Sequence, residues 1–94
     1  MGGLVFIEEH PLAGRVVRAA DGATIGREGC DVLLADPEAS RRHAILRAAG
    51  SGAAVEDLGS TNGTYVNGRR VDGTAPLSAG DRLRFGQTVW RLQR

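Results

Sequence analysis

The sequence predicts an all-β domain, a sandwich or barrel, on three observations. Short runs rich in Val, Ile, Leu and aromatic residues recur along the 94-residue chain, each closed by a turn signal. No window of roughly 11 residues or more shows sustained helical periodicity, and the Ala-rich stretch Ala35–Ala39 is short and broken by Pro37. Glycine occurs 14 times, about double its usual share of about 7%, as a succession of tight turns requires.

The elements follow in order. Leu4-Val5-Phe6-Ile7-Glu8 reads as a first strand, ended by Glu9-His10-Pro11. Gly14-Arg15-Val16-Val17-Arg18 is a second, half exposed because arginines flank its two valines. Asp21-Gly22 is a turn dipeptide and predicts a hairpin from this strand into Thr24-Ile25-Gly26-Arg27. Asp31-Val32-Leu33-Leu34 is a fourth strand, stopped by Asp36-Pro37. Proline has no N–H for a ladder, so the stretch from Asp36 to Arg42 is loop.

His43–Ala48 resumes a strand, Gly50-Ser51-Gly52 turns it, and Ala53–Leu58 returns. After the polar stretch Gly59–Gly63 comes a brief strand, Thr64-Tyr65-Val66. Asn67-Gly68, set before Arg69-Arg70-Val71, is the strongest hairpin signal in the chain. Leu77 precedes another turn, Ser78-Ala79-Gly80-Asp81. Arg82-Leu83-Arg84-Phe85 alternates with period two, which turns Leu83 and Phe85 inward. Thr88–Leu92 closes the domain with Trp90 and Leu92 inward. The aromatics Phe6, Tyr65, Phe85 and Trp90 fall on separate strands, as core residues rather than as a base-stacking platform.

Length and composition bound the function. Ninety-four residues fit a single domain, 1–94 with a core of about 4–93, and such a chain buries roughly 60–65% of its unfolded surface. The formal net charge of +1 is too small for bulk nucleic-acid binding. Its distribution is uneven: residues 1–65 hold six Arg against nine acidic residues, and residues 66–94 six Arg against two. All 12 basic side chains are Arg, which points to a GC-rich, bacterial genome. Without lysine there is no amine nucleophile and no phosphate-cradling lysine. A single cysteine, Cys30, excludes an intrachain disulfide and a four-ligand zinc site. No apolar run approaches membrane-spanning length and no basic-then-apolar leader pattern opens the chain, so the expectation is a cytoplasmic, monomeric domain without metal or cofactor.

Chemistry concentrates between residues 40 and 67. Ser40-Arg41-Arg42-His43 offers a hydroxyl, two guanidiniums and an imidazole; Gly59–Gly63 adds two hydroxyls, an amide and backbone N–H groups. Arg27, after Gly26, supplies another guanidinium from upstream. Such donors on separate loops suit an anion, and a phosphorylated side chain is the natural candidate. Each has a plain reading as well: a solvated arginine, a common Ser-Arg pair, an Asn-Gly turn. Ser40 and His43 invite comparison with a nucleophile and base, but they straddle a loop-to-strand junction, lack an acid partner and show no nucleophile elbow. His43 is expected instead to be buried and hydrogen-bonded, bracing two loops. Asn67 reads as a turn residue.

The order and spacing of these fragments resemble the forkhead-associated family of phosphothreonine-binding domains. The match runs from Ile25-Gly26-Arg27 through Asp36 and Ser40-Arg41-Arg42-His43 to the segment Asp57–Gly68, and on to Leu77 and Gly80-Asp81. The resemblance implies a sandwich of about eleven mostly antiparallel strands in two sheets, with ligand loops at one end. It implies a non-catalytic module of Ser/Thr kinase signalling, and a phosphothreonine-containing peptide or protein as partner. By the same token Arg27, Ser40 and Thr61 are phosphate ligands, Arg41 makes a further contact, and Asn62 holds the peptide main chain. Gly26, His43, Gly63 and Asn67 are structural supports. Glu38 departs from the pattern of members that carry a basic residue there and read an acidic side chain three places after the phosphothreonine. A glutamate would repel such a side chain, so the resemblance implies that this preference is weak or reversed at that position. The rival reading is a phosphorylation-independent protein or RNA interaction domain that uses a sheet face or the Arg-rich C-terminal half.

Overall fold

Period-two alternation decides which face each strand buries, and the computed structural model, which describes residues 3–49 and 52–93, shows that pattern closing two sheets over one core. The strands are β1 (Leu4–His10), β2 (Val16–Ala19), β3 (Thr24–Gly26), β4 (Val32–Leu33), β5 (Ala44–Ala49), β6 (Gly52–Asp57), β7 (Thr64–Val66), β8 (Arg69–Arg70), β9 (Thr74–Leu77), β10 (Arg82–Phe85) and β11 (Thr88–Leu92). One sheet has the order β2-β1-β11-β10-β7-β8 and the other β4-β3-β5-β6-β9. Every pairing is antiparallel except β3 with β4. None of the described residues forms a helix long and apolar enough to cross a membrane.

The core is an aromatic trio set between aliphatic rows. Trp90 lies between Phe6 and Phe85, with ring centroids 5.3 and 5.2 Å away, and all three are fully buried. Leu83 and Leu92 extend that layer, and Ile25, Ala44, Leu46 and Val55 face it from the five-stranded sheet. Tyr65 does not join them. It is half-buried on the outer face of its sheet, with the Arg84 guanidinium 4.0 Å above its ring. Thr64 is the inward residue of β7, so alternation leaves Tyr65 no place in the core.

Two connections differ from the sequence reading. Asp21-Gly22 does not close a hairpin: β2 and β3 belong to different sheets, and the turn carries the chain between them. Its partners lie on β5, where Asp21 Oδ1 accepts the Ala48 N–H at 2.9 Å and the Gly22 N–H reaches the Leu46 carbonyl at 2.7 Å. β9 was not anticipated, because it contains Pro76. It is the outer strand of its sheet, where a missing N–H leaves no ladder bond unmade. The expected turn at Gly50-Ser51 lies outside the described residues. The Asn67-Gly68 hairpin forms as expected, with φ of 50° and 82° at its two central residues, a backbone that Asn and Gly tolerate.

Antiparallel pairing brings the end of β3, the start of β5, the end of β6, the start of β7 and the β10–β11 turn to one end of the sandwich. The polar loops of residues 27–43 and 58–63 meet there.

Candidate functional site

The first loop is zipped to the end of β3 by backbone bonds. The N–H groups of Arg27 and Glu28 donate to the carbonyls of Ser40 and Arg41, at 3.1 and 3.3 Å, and the His43 N–H donates to Ile25. Gly26 permits this approach. A Cβ there would fall inside the surface of the Arg41 carbonyl and 2.9 Å from Cys30 Sγ. Arg27 extends from this seam with Nε donating to the Ala39 carbonyl, and its terminal nitrogens have no acceptor among the described residues.

Asp36 anchors the far side of that loop. Its Oδ1 accepts the Glu38 N–H at 2.9 Å, and its Oδ2 accepts the N–H groups of Gln87 and Thr88 and the Thr88 hydroxyl at 2.8–3.0 Å. Burial pushes its pKa upward, but these donors outweigh burial and hold it below the usual aspartate value.

Asp57 does the same for the second loop. Its Oδ2 accepts the N–H groups of Gly59 and Ser60 at 3.0 and 3.1 Å, and its Oδ1 accepts the hydroxyls of Ser60 and Thr64 at 2.5 and 2.8 Å. Here too burial raises the pKa and the hydrogen bonds, led by the Ser60 hydroxyl, bring it below the ordinary value.

His43 joins the loops. It is fully buried, with its ring edge-on to Phe85 at 5.5 Å. Nδ1 accepts the Ser40 N–H at 3.0 Å, which leaves the proton on Nε2, 2.9 Å from the Gly63 carbonyl. Both ring nitrogens are thus committed to backbone, and neither is available to take the proton of the Ser40 hydroxyl. A Ser–His hydrolytic pair has no geometry here.

A second bridge sets the hydroxyl itself. The Thr61 N–H donates to Ser40 Oγ at 3.0 Å, and the Ser40 proton has no acceptor among the described residues. Asn62 crosses back in turn, Nδ2 to the Glu38 carbonyl at 2.7 Å. Arg27, Ser40, Arg41, Thr61 and Asn62 together line one surface cavity of about 430 Å³, with Pro37, Glu38 and Ala39 completing it. The Arg41 pairing with Glu28 is long, 3.9 Å, and exposed on both sides, so it restrains that guanidinium little.

Gly26, His43 and Gly63 stand directly behind this cavity. Asn67 does not. It lies at the far end of β7, where Oδ1 accepts the Arg82 N–H and Nδ2 donates to Asp81. The sequence reading assigns no role to two organising residues, Asp36 and Asp57. Asp57 has a local signature, an aspartate ahead of a Gly-Ser turn whose N–H groups it can accept. Asp36 has one local partner, the Glu38 N–H, but its other three donors come from Gln87 and Thr88, about fifty residues away, and nothing local signals them.

A family model described as FHA domain matches residues 23–86. The FHA domain-containing protein FhaB of Mycolicibacterium smegmatis is 40% identical over 91 residues, which cover 95% of this chain and 59% of that protein. The chain thus spans about three fifths of that curated relative. An FHA domain solved in a study of phosphothreonine-dependent interactions superposes with a TM-score of 0.87 at 32% identity, covering 98% of this chain and 96% of the other. EmbR of Mycobacterium tuberculosis, solved in complex with a low-affinity phosphopeptide, gives a TM-score of 0.88 at 26% identity, over 99% of this chain and 24% of EmbR.

Proposed function

Because this chain belongs to the forkhead-associated (FHA) domain family, we propose that it is a non-catalytic module that binds phosphothreonine-containing peptides or proteins produced by a Ser/Thr protein kinase. Its setting on this reading is cytoplasmic bacterial signalling. The observation that carries the proposal is the Ser40 hydroxyl. It accepts the Thr61 N–H, so its own proton is left to donate into the cavity that the Arg27 and Arg41 guanidiniums also line.

A phosphothreonine brings about −1.5 to −2 charges and three strong acceptor oxygens at pH 7. Arg27 is steadied through Nε by the Ala39 carbonyl, which frees its two terminal nitrogens for a forked contact. Ser40 adds a hydroxyl and Arg41 a second cation, and Thr61, which lines the same cavity, assists. Asn62, at the rim, keeps its carbonyl oxygen and one amide proton for the peptide main chain. Each charge-assisted hydrogen bond contributes on the order of 1.5–3 kcal/mol, and desolvation and ordering offset part of this, so micromolar affinity is expected.

The test is titration of one peptide in phosphorylated and unphosphorylated forms against wild type and Arg27→Ala. Binding that needs the phosphate and is lost in Arg27→Ala supports the reading; equal affinity of the wild type for both peptides ends it.

A further inference from the structure

The outer face of the six-stranded sheet carries a row of side chains that the cavity does not use. Tyr65 stands opposite Arg70 on β8 and opposite Arg84 on β10. Arg70, Tyr65 and Arg84 are therefore cross-strand neighbours on one face. Both ends of the row abut the loops that frame the cavity. Arg70 Nε lies 3.0 Å from the position a Cβ would take on Gly63, so its guanidinium covers the residue that follows Asn62. Arg84 Nη1 donates to the Gly86 carbonyl at 3.3 Å, and a Cβ on Gly86 would stand 3.0 Å from that of Glu38, a cavity residue.

The charge of this row is not neutralised from within. Arg15, Arg41, Arg47, Arg82 and Arg91 pair with carboxylates, but among the described residues neither Arg70 nor Arg84 does. In the adjacent row Arg82 and Arg91 both hold Glu9, at 2.6 and 3.2 Å. Two acids lie against Gly86, Asp36 and Glu38; Asp36 already accepts four hydrogen bonds, and Glu38 is engaged by Gln87 Nε2 at 3.0 Å.

We propose that Arg70, Tyr65 and Arg84 extend the phosphopeptide site and read acidic side chains of the phosphorylated partner beyond its phosphothreonine. This rests on the function proposed above and adds a preference to it. The Tyr65 ring holds Arg84 in place before ligand arrives, so less rotamer freedom is lost on binding. The row spans two inter-strand spacings, about 10 Å, a reach that about three extended residues cover. A nucleic acid fits less well. The one aromatic on this face, Tyr65, is half-buried and already stacked by Arg84, and Phe6, Phe85 and Trp90 are buried.

The experiment compares phosphothreonine peptides flanked, on either side, by three Glu or by three Gln. Wild type should bind a Glu-flanked peptide roughly 3–10-fold tighter at low ionic strength, as two exposed ion pairs imply, with the advantage fading in high salt. Arg70→Ala/Arg84→Ala should remove that advantage and leave Gln-flanked binding unchanged, with only a modest fall in melting temperature from the lost stacking of Arg84 on Tyr65. Arg70→Glu/Arg84→Glu should turn the preference toward Lys-flanked peptides. Wild type that requires the phosphate yet shows no Glu preference on either flank overturns this proposal alone. Wild type that ignores phosphorylation overturns the function beneath it. Salt-sensitive binding of a single-stranded oligonucleotide, lost in the double alanine variant with no Glu preference, would reassign the row to nucleic acid.

Discussion

Asp57 offers the sharpest test of how the ligand loops are held. Its carboxylate accepts four hydrogen bonds that are not chemically equal. At Oδ2 the donors are backbone N–H groups of Gly59 and Ser60, which can only donate. At Oδ1 they are the hydroxyls of Ser60 and Thr64, which can donate or accept. An asparagine can keep its oxygen toward the amides and turn its NH₂ toward the hydroxyls, which rotate to accept. An alanine satisfies none of them. Gly59 is exposed and water can serve it, whereas Thr64 is 0% and Ser60 7% exposed. Stranding those buried groups costs about 1–3 kcal/mol apiece.

Asp57→Ala should therefore destabilise the domain by about 2–4 kcal/mol, a fall in Tm of roughly 10–25 °C for a chain of this size. Asp57→Asn should cost about 1–1.5 kcal/mol, mostly the loss of charge assistance. The acid limb separates these origins. The folded-state pKa of Asp57 lies below its ordinary value, because its donors outweigh the opposing effect of burial. The unfolded chain then binds the proton more readily than the native one, so stability from this group is fully present above the unfolded pKa, about 3.9. It is lost as pH falls through the lower folded value. Asp36 titrates in both proteins and cancels in the comparison. Urea denaturation of wild type and Asp57→Asn from pH 7 to pH 2.5 should show the gap narrowing below about pH 4. A gap independent of pH, or Asn as damaging as Ala, would refute this account.

The remaining predictions concern the seam, the brace and the phosphate contact. Gly26→Ala forces a methyl into the Arg41 carbonyl and should cost at least about 1–3 kcal/mol while weakening phosphopeptide binding; thermal melting and titration measure both. His43→Phe keeps the packing on Phe85 but strands the Ser40 N–H and the Gly63 carbonyl. It should lose about 2–4 kcal/mol, with phosphopeptide affinity falling as the loops part. Arg27→Lys keeps the charge but cannot hold the Ala39 carbonyl and fork onto phosphate together. Affinity should drop roughly 10–100-fold with Tm only slightly lower, and a Lys variant as tight as wild type would show that charge alone suffices.

What was legible in the sequence was local, and what was hidden depended on distant partners. Asn67-Gly68 and Asp21-Gly22 are the same kind of turn signal, yet only the first joins paired strands. A dipeptide fixes backbone dihedrals, whereas the Asp21 side chain and the Gly22 N–H are spoken for by β5. Tyr65 looks like core by its aromatic character alone, although alternation around the buried Thr64 turns it outward. Pro76 hid β9, since its acceptability depends on the strand being at an edge. Of the residues proposed to hold the phosphopeptide, Arg27, Ser40 and Asn62 are conspicuous in the sequence by residue type. The bond from the Thr61 N–H to Ser40 Oγ, 21 positions apart, depends on how β5 and β6 pair and could not be read.

The anion site proposed above would be built over acidic residues, and the hydrogen bonds explain why the two do not oppose each other. Asp36 and Asp57 each accept four donors, so their charge is spent on backbone and hydroxyl groups beneath the loops. What they supply is geometry. Asp57 fixes Gly59 and Ser60, which sets the next N–H, that of Thr61, against Ser40 Oγ, and that bond leaves the Ser40 proton to the cavity. His43 holds the same serine from its backbone side and ties it to Gly63. The donors are thus oriented before any phosphate arrives, and little ordering remains to oppose binding. On the function proposed above, a chain of net charge +1 would select a doubly charged group without a large basic patch, because recognition would rest on where the protons point.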